Sequence, residues 1–88
     1  MKIKKCYVCR TIADKYIVTK NSNYTKNDSK IIHLNNTGKF LWDLLLDGSS
    51  IEDLATALSN KFGISKEDAY NDAMDFVKIL DKEKILEN

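Results

Sequence analysis

The apolar residues of this chain change their spacing once, near Asn35, and that change divides the chain into two structural parts. Before it, residues 6–13 and 16–20 are rich in Val, Ile, Thr and Tyr, which favour strands. After it, apolar residues recur at the three- and four-residue spacing of helices. The 88 residues include no proline and three glycines, so most of the chain is predicted to be regular structure.

The first part predicts a small antiparallel sheet. Residues 6–13 and 16–20 are expected to form a hairpin that turns at Asp14 and Lys15. After a polar, turn-forming stretch, residues 30–34 predict a short third strand.

The second part predicts three helices, each with a start signal and an end. Together with the sheet they predict one α+β domain over residues 1–88, a small winged-helix-like domain in which a three-stranded N-terminal antiparallel sheet precedes the helices. An apolar tail, Ile85 and Leu86, is expected to pack back onto the domain. The predicted helices run from Asn35 or Asn36 to Gly48, from Ser50 to Gly63, and from Ser65 to about Glu83.

The third helix has an apolar arc of about 220°, wider than one packing contact requires. Tyr70, Met74 and Val77 form one flank of this arc and are named here the outer stripe. The sequence leaves two alternatives open for them, packing under the sheet or facing the groove of a partner. Trp42 and Leu46 on the first helix are expected to lie in the core.

Cys6 and Cys9 form a C-x-x-C pair, which in other proteins can bind zinc or carry out redox chemistry. A structural zinc site needs a second pair of ligands, and the rest of the sequence offers only one histidine, His33. Redox-active pairs normally lie at the start of a helix, whereas this pair lies in a predicted strand. Both cysteines are expected to be ordinary strand residues, and no metal or cofactor is expected.

Motifs for catalysis and for membrane insertion are missing from the sequence. It has neither the glycine-rich loops that hold phosphates nor a Ser, His and Asp set that would involve His33. His33 is expected to face solvent or to be hydrogen-bonded. No apolar run approaches the roughly 18 residues of a membrane span, and residues 1–5 do not begin a signal peptide. These features predict a cytoplasmic protein that is not an enzyme and does not bind a membrane.

Charge is unevenly divided along the chain. Residues 1–36 hold eight basic and two acidic residues, whereas residues 37–88 hold six and eleven. An acidic partner would therefore approach the N-terminal part. Winged-helix DNA-binding proteins also combine a sheet with three helices, but residues 66–83 hold six acids against three lysines and would be repelled by phosphates. Nucleic acid is not expected as a partner, although a winged-helix-type DNA-binding or generic protein-interaction module stays open as the alternative.

A resemblance to the PqqD family lies in residues 32–45, which are Ile-His-Leu-Asn-Asn-Thr-Gly-Lys-Phe-Leu-Trp-Asp-Leu-Leu. The family pattern is an apolar strand followed by Leu-Asn-x-Thr-Gly, an aliphatic residue, a Trp and a Leu-rich helix end. Further similar segments are residues 10–18, 46–48, 51–54 and 62–63 and the Lys-x-x-Ile-Leu tail at 82–86.

The resemblance implies a non-catalytic module of ribosomal peptide natural-product or PQQ-type cofactor biosynthesis, either a monomer or a weak homodimer. Such modules bind the leader of a precursor peptide and present it to a modifying enzyme, commonly a radical S-adenosylmethionine maturase or a leader peptidase. In family members the leader adds as a strand to the edge of the third strand, and its side chains enter a cleft against the third helix. The residues implied in peptide binding are Lys30, Ile31, Ile32, His33 and Leu34 on the strand, and Tyr70, Met74, Val77 and Asp81 on the helix.

Overall fold

The computed structural model of the chain describes residues 1–20 and 32–87. In these residues a three-stranded antiparallel sheet is followed by three helices, and a two-stranded sheet joins residues from the two ends. The predicted α+β class and element order are confirmed. The strands are β1 (Lys2–Ile3), β2 (Tyr7–Ile12), β3 (Lys15–Lys20), β4 (Ile32–Leu34) and β5 (Leu86–Glu87), and the helices are α1 (Asn36–Leu46), α2 (Ile51–Phe62) and α3 (Lys66–Lys82).

The hairpin of β2 and β3 turns one residue earlier than expected. Ile12 pairs with Lys15, so the turn residues are Ala13 and Asp14 rather than Asp14 and Lys15. Both turn residues have positive φ, 50° and 66°, which suits a two-residue turn whose twist matches that of the strands. The register keeps Val18 buried, and a slip by one residue would turn it outward. Burial of the strand face therefore outweighs the poor preference of Ala for this conformation.

The central strand of the three-stranded sheet is β3, so β4 lies at an edge. Val18 of β3 pairs with Ile32 and Tyr16 pairs with Leu34, and paired residues share a face. This face packs against the helices. His33 lies on the opposite face and is exposed, as expected. Among the described residues no strand pairs with the outer edge of β4, while positions 30 and 31 of the predicted third strand lie outside the described residues.

Each helix begins at a predicted cap. Of the two candidates for α1 the cap is Asn35, whose Oδ1 accepts a hydrogen bond from the backbone N–H of Gly38 at 2.7 Å. Ser50 and Ser65 cap the other two helices in the same way, each through its Oγ at 3.1 Å. Gly63 ends α2 in the left-handed conformation that glycine favours.

The core lies between the sheet face and the three helices. Trp42 is fully buried there, as expected, among leucines of α1, α2 and α3. Leu46 is 46% exposed, so its predicted place in the core is wrong. It lies in the last turn of α1, about 90° around the helix from the centre of the buried face, and Leu45 takes the core position instead.

A short clasp joins β1 to β5. Ile3 pairs with Leu86, and the backbone N–H of Lys4 donates to the carbonyl of Ile85 at 2.8 Å. These three apolar side chains are buried in the core, so the expected packing of the apolar tail is confirmed. The partner strand at Lys2–Ile3 was not predicted, because two residues in a lysine-rich stretch show no alternation.

Candidate functional site

A groove opens beside the edge strand β4. Its larger cavity encloses about 620 Å³ between the sheet, the start of α1 and α3. The sheet contributes Tyr16, Ile32 and Leu34, α3 contributes Phe76, Ile79 and Leu80, Asn35 and Gly38 lie at the junction with α1, and Lys15 and His33 are also part of the lining.

A second cavity of about 280 Å³ continues this groove along α3. The two cavities share four residues, Asn35, Gly38, Phe76 and Ile79, so we treat them as one feature, the β4–α3 groove. The further lining residues of the second cavity are Thr37, Leu41, Asp72 and Asp75. The groove therefore runs from an apolar region beneath the sheet edge to an acidic region on the helix.

Gly38 permits the close contact between α1 and α3 at the floor of the groove. A Cβ at this position would lie 3.3 Å from Asn35 Oδ1 and 3.4 Å from both Leu34 Cβ and Phe76 Cε1. The 3.3 Å distance is tighter than an ordinary contact and the two of 3.4 Å are at the lower limit of one, so the absence of a side chain leaves room for the Asn35 cap and the Phe76 ring. The Leu-Asn-x-Thr-Gly segment thus ends β4, caps α1 and shapes the groove within five residues.

Three of the five strand residues implied in binding are described, and their part in binding stays a prediction. Ile32, His33 and Leu34 all line the groove, and Lys30 and Ile31 lie outside the described residues.

The helix wall of the groove differs from the expected one. None of Tyr70, Met74, Val77 and Asp81 lines either cavity, and the wall consists of Phe76, Ile79 and Leu80. The outer stripe therefore lies outside both cavities, and its part in peptide binding stays a prediction. Its residues lie roughly 140° around α3 from Phe76 and Ile79.

Phe76 and Ile79 were missed because the helical pattern alone does not show which flank of the apolar arc faces the sheet. The centre of the arc, with Ala69 and Ala73, is buried, and either flank was free to meet β4. The sequence held one indication of this wall, because Ile79 is apolar although it lies at the edge of the apolar arc, far from the centre of the arc. It is 53% exposed, and Phe76 beside it is half-buried.

Cys9 lies on the core-facing side of β2, and its surroundings keep it protonated. Burial raises the pKa of the Cys9 thiol, while nearby Lys39 opposes the shift and Asp43 adds to it. A hydrogen bond to Asp43 raises the pKa of Lys39. Both cysteines are free. A thiol with a raised pKa is a poor nucleophile at neutral pH, which agrees with the interpretation of Cys9 as a strand residue.

In the part of the chain that the structure describes, no group of three or more His, Cys, Asp or Glu side chains could hold a metal ion. Among the same residues no helix is both long enough and apolar enough to span a membrane.

The family model for coenzyme PQQ synthesis protein D (PqqD) matches residues 9–86. The chain belongs to the PqqD family. The match begins within β2 and ends within β5, so it covers the groove and leaves Cys6 outside. A comparison with curated proteins found no match.

Two solved structures share the PqqD-family fold of this chain. One is TbiB1 in complex with the TbiA(beta) leader peptide, with a TM-score of 0.79 and 23% identity over 100% of this chain and 96% of that one. The other is a lasso peptide synthetase B1 complexed with the leader peptide, with a TM-score of 0.74 and 20% identity over 93% and 91% of the two chains. Their similarity confirms the arrangement of the small sheet and the three helices.

Proposed function

We propose that this PqqD-family protein binds the leader of a ribosomal precursor peptide and presents it to a modifying enzyme. The observation that carries the proposal is the position of an apolar groove directly beside the edge of β4 that no strand of the described residues pairs with. A peptide that pairs with this edge as an extra strand gains backbone hydrogen bonds and at the same time places alternate side chains in the groove.

The strand edge supplies the backbone part of this recognition. Ile32 and Leu34 face the helices, so a strand added outside β4 directs the side chains on that same face toward Phe76 and Ile79. Edge strands with free N–H and C=O groups are ready templates for pairing with another chain.

The groove supplies the side-chain part. Its wall combines aliphatic residues of β4 with an exposed isoleucine and a half-buried phenylalanine of α3. A large apolar side chain of the peptide is the natural anchor for such a wall, since anchors in well-desolvated pockets supply most of the affinity of a peptide interface.

The two structures with the same fold are complexes with leader peptides, which supports a leader as the occupant here. The partner enzyme is a radical S-adenosylmethionine maturase, another modifying enzyme or a leader peptidase, and the protein itself performs no catalysis. We propose the cytoplasm as the place of this function.

The proposal is tested by fluorescence polarisation with synthetic leader segments of candidate precursor peptides, taken from short reading frames that neighbour the gene of this protein. We expect saturable binding to the wild-type protein and none of the scrambled leader. Ile79→Lys, which puts a charge on the groove wall, is expected to abolish binding. Its matched control is Phe62→Lys, at another exposed apolar residue that lines neither cavity.

Equal binding of the leader and its scrambled form, or equal loss in both lysine variants, would contradict the proposal. Two further measurements address the alternatives. We expect no mobility shift of duplex DNA at low salt, and no change in precursor mass when the protein is incubated with the precursor alone. A shift or a mass change would favour DNA binding or catalysis instead.

A further inference from the structure

The charged residues of the β4–α3 groove are divided between its two regions. Asp72 and Asp75 line only the second cavity, whereas Lys15 lines only the first. Both aspartates are exposed, and within the described residues neither has an ion pair with a lysine or an arginine. The end of the groove at the second cavity is therefore negatively charged, and its two aspartates have no basic partner among the described residues.

The geometry of α3 brings these carboxylates into line with the apolar wall. Asp72 and Asp75 are three positions apart and so are neighbours on one face of the helix. Phe76 and Ile79 follow them by four positions each, on the same face. The acidic pair thus lies one turn before the apolar pair, about 6 Å along the helix axis.

We propose that the groove selects a peptide in which Lys or Arg lies close to the large apolar anchor, with the basic side chain over Asp72 and Asp75. This inference rests on the proposed function and specifies the chemistry of the peptide. Side chains on one face of an extended strand recur about every 6 to 7 Å, which matches the separation of the two pairs on α3. Where the peptide follows the groove, the basic residue lies two positions from the anchor.

The expected energetic effect is modest, because exposed carboxylates are screened by solvent and salt. Replacing both aspartates by asparagine should weaken the binding of a basic peptide by about 2- to 10-fold. The same charges should act more strongly on the choice between peptides, since a reversed charge repels where the native one attracts.

The test is a display selection from a library of random 12-residue peptides. Three proteins are used as bait: the wild type, the Asp72→Lys and Asp75→Lys double variant, and a control with Glu67→Lys and Glu87→Lys. The control reverses the same number of exposed charges at positions that line neither cavity. Circular dichroism verifies that all three are folded.

We expect peptides selected on the wild type and on the control to be enriched in Lys or Arg near a large apolar residue. Those selected on the Asp72→Lys, Asp75→Lys variant should be enriched in Asp or Glu at that place. For one selected peptide, replacing its basic residue by norleucine should weaken binding to the wild type by about 2- to 10-fold and should leave binding to the Asp72→Asn, Asp75→Asn variant nearly unchanged.

The failures of the two proposals are distinguishable. Peptides that bind the wild type through the β4 edge but show no preference for basic residues would overturn this inference and leave the proposed function standing. The same enrichment on the charge-reversed variant would also overturn it. A wild-type protein that selects no peptide would contradict both proposals.

Discussion

At the scale of single residues, neighbours in sequence have different roles in the β4–α3 groove. Ile79 is 53% exposed on the groove wall, whereas Leu80 is completely buried and also reaches the core. Substituting each of them in turn should therefore separate an effect on leader binding from an effect on folding stability.

We expect Ile79→Ala to change the melting temperature little and to weaken leader binding by about 1 to 3 kcal/mol, since it removes an anchor contact. Leu80→Ala should cost about 2 to 5 kcal/mol of folding stability, because it leaves a cavity in the core. Thermal melts and polarisation titrations measure the two effects.

Tyr70, which is 39% exposed on the outer stripe, is the matched control. Loss of affinity in Tyr70→Ala but not in Ile79→Ala would make the outer stripe the binding surface.

Gly38 supports a second prediction at this scale. Gly38→Ala gains helix propensity of about 1 kcal/mol but places its Cβ against Asn35 Oδ1 and beside the Phe76 ring. We expect the free energy of unfolding to change by less than about 1 kcal/mol, while leader affinity falls because the ring shifts into the groove. Phe76 itself lines the groove, so Phe76→Leu alone should also weaken binding, but the losses of affinity in the double variant should be less than additive because the smaller side chain makes room for the new Cβ. Additive losses in the double variant would argue against this contact.

Cys9 supports a prediction about pH. Because burial raises the pKa of its thiol, the reactive thiolate forms only at higher pH than in an unstructured peptide. In a Cys6→Ser background, the pH profile of iodoacetamide alkylation should lie at higher pH than that of a peptide of residues 7–11. Lys39→Ala should move it further upward, because Lys39 lowers the pKa. A profile below that of the peptide would indicate an activated cysteine and would reopen a redox role.

At the scale of elements, local signals predicted most boundaries and tertiary contacts set the remainder. Caps such as Ser50 and ends such as Gly63 act through the hydrogen bonds and backbone angles of a few adjacent residues, so their patterns are visible in the sequence. The turn at Ala13 and the flank of α3 that meets β4 depend on which faces are buried together, and a one-dimensional pattern does not contain that information.

The edge of β4 gives a prediction for this scale. Saturating leader should slow amide hydrogen exchange within Ile32–Leu34 by about tenfold or more, because outward-pointing N–H groups gain acceptors. Amides in the middle of α2, which lines neither cavity, provide the internal control. Unchanged exchange at β4 with leader bound would rule out strand addition and leave a groove that binds side chains alone.

At the scale of the whole molecule, the clasp between β1 and β5 and the β4–α3 groove use different residues. No residue of the clasp lines either cavity, so the clasp contributes to stability through contacts that are separate from the groove. The sequence predicted only one half of the clasp. The apolar residues Ile85 and Leu86 indicated a tail that packs on the domain, but nothing in the sequence indicated the strand that pairs with it.

A substitution in the clasp should therefore have the opposite effects to Ile79→Ala, with lower folding stability and unchanged leader affinity. Ile3 is buried against the core, and Ile3→Ala should lower the free energy of unfolding by about 2 to 5 kcal/mol. Ile12→Ala, at an exposed isoleucine of β2, should change it by less than about 0.5 kcal/mol and serves as the control. Urea denaturation measures both changes in the free energy of unfolding.

At a temperature where Ile3→Ala stays folded, its leader affinity should equal that of the wild type, because the groove is intact. A parallel loss of affinity would show that the clasp holds α1 and the groove in place. Leader binding would then depend on the contacts of the clasp as well as on those of the groove.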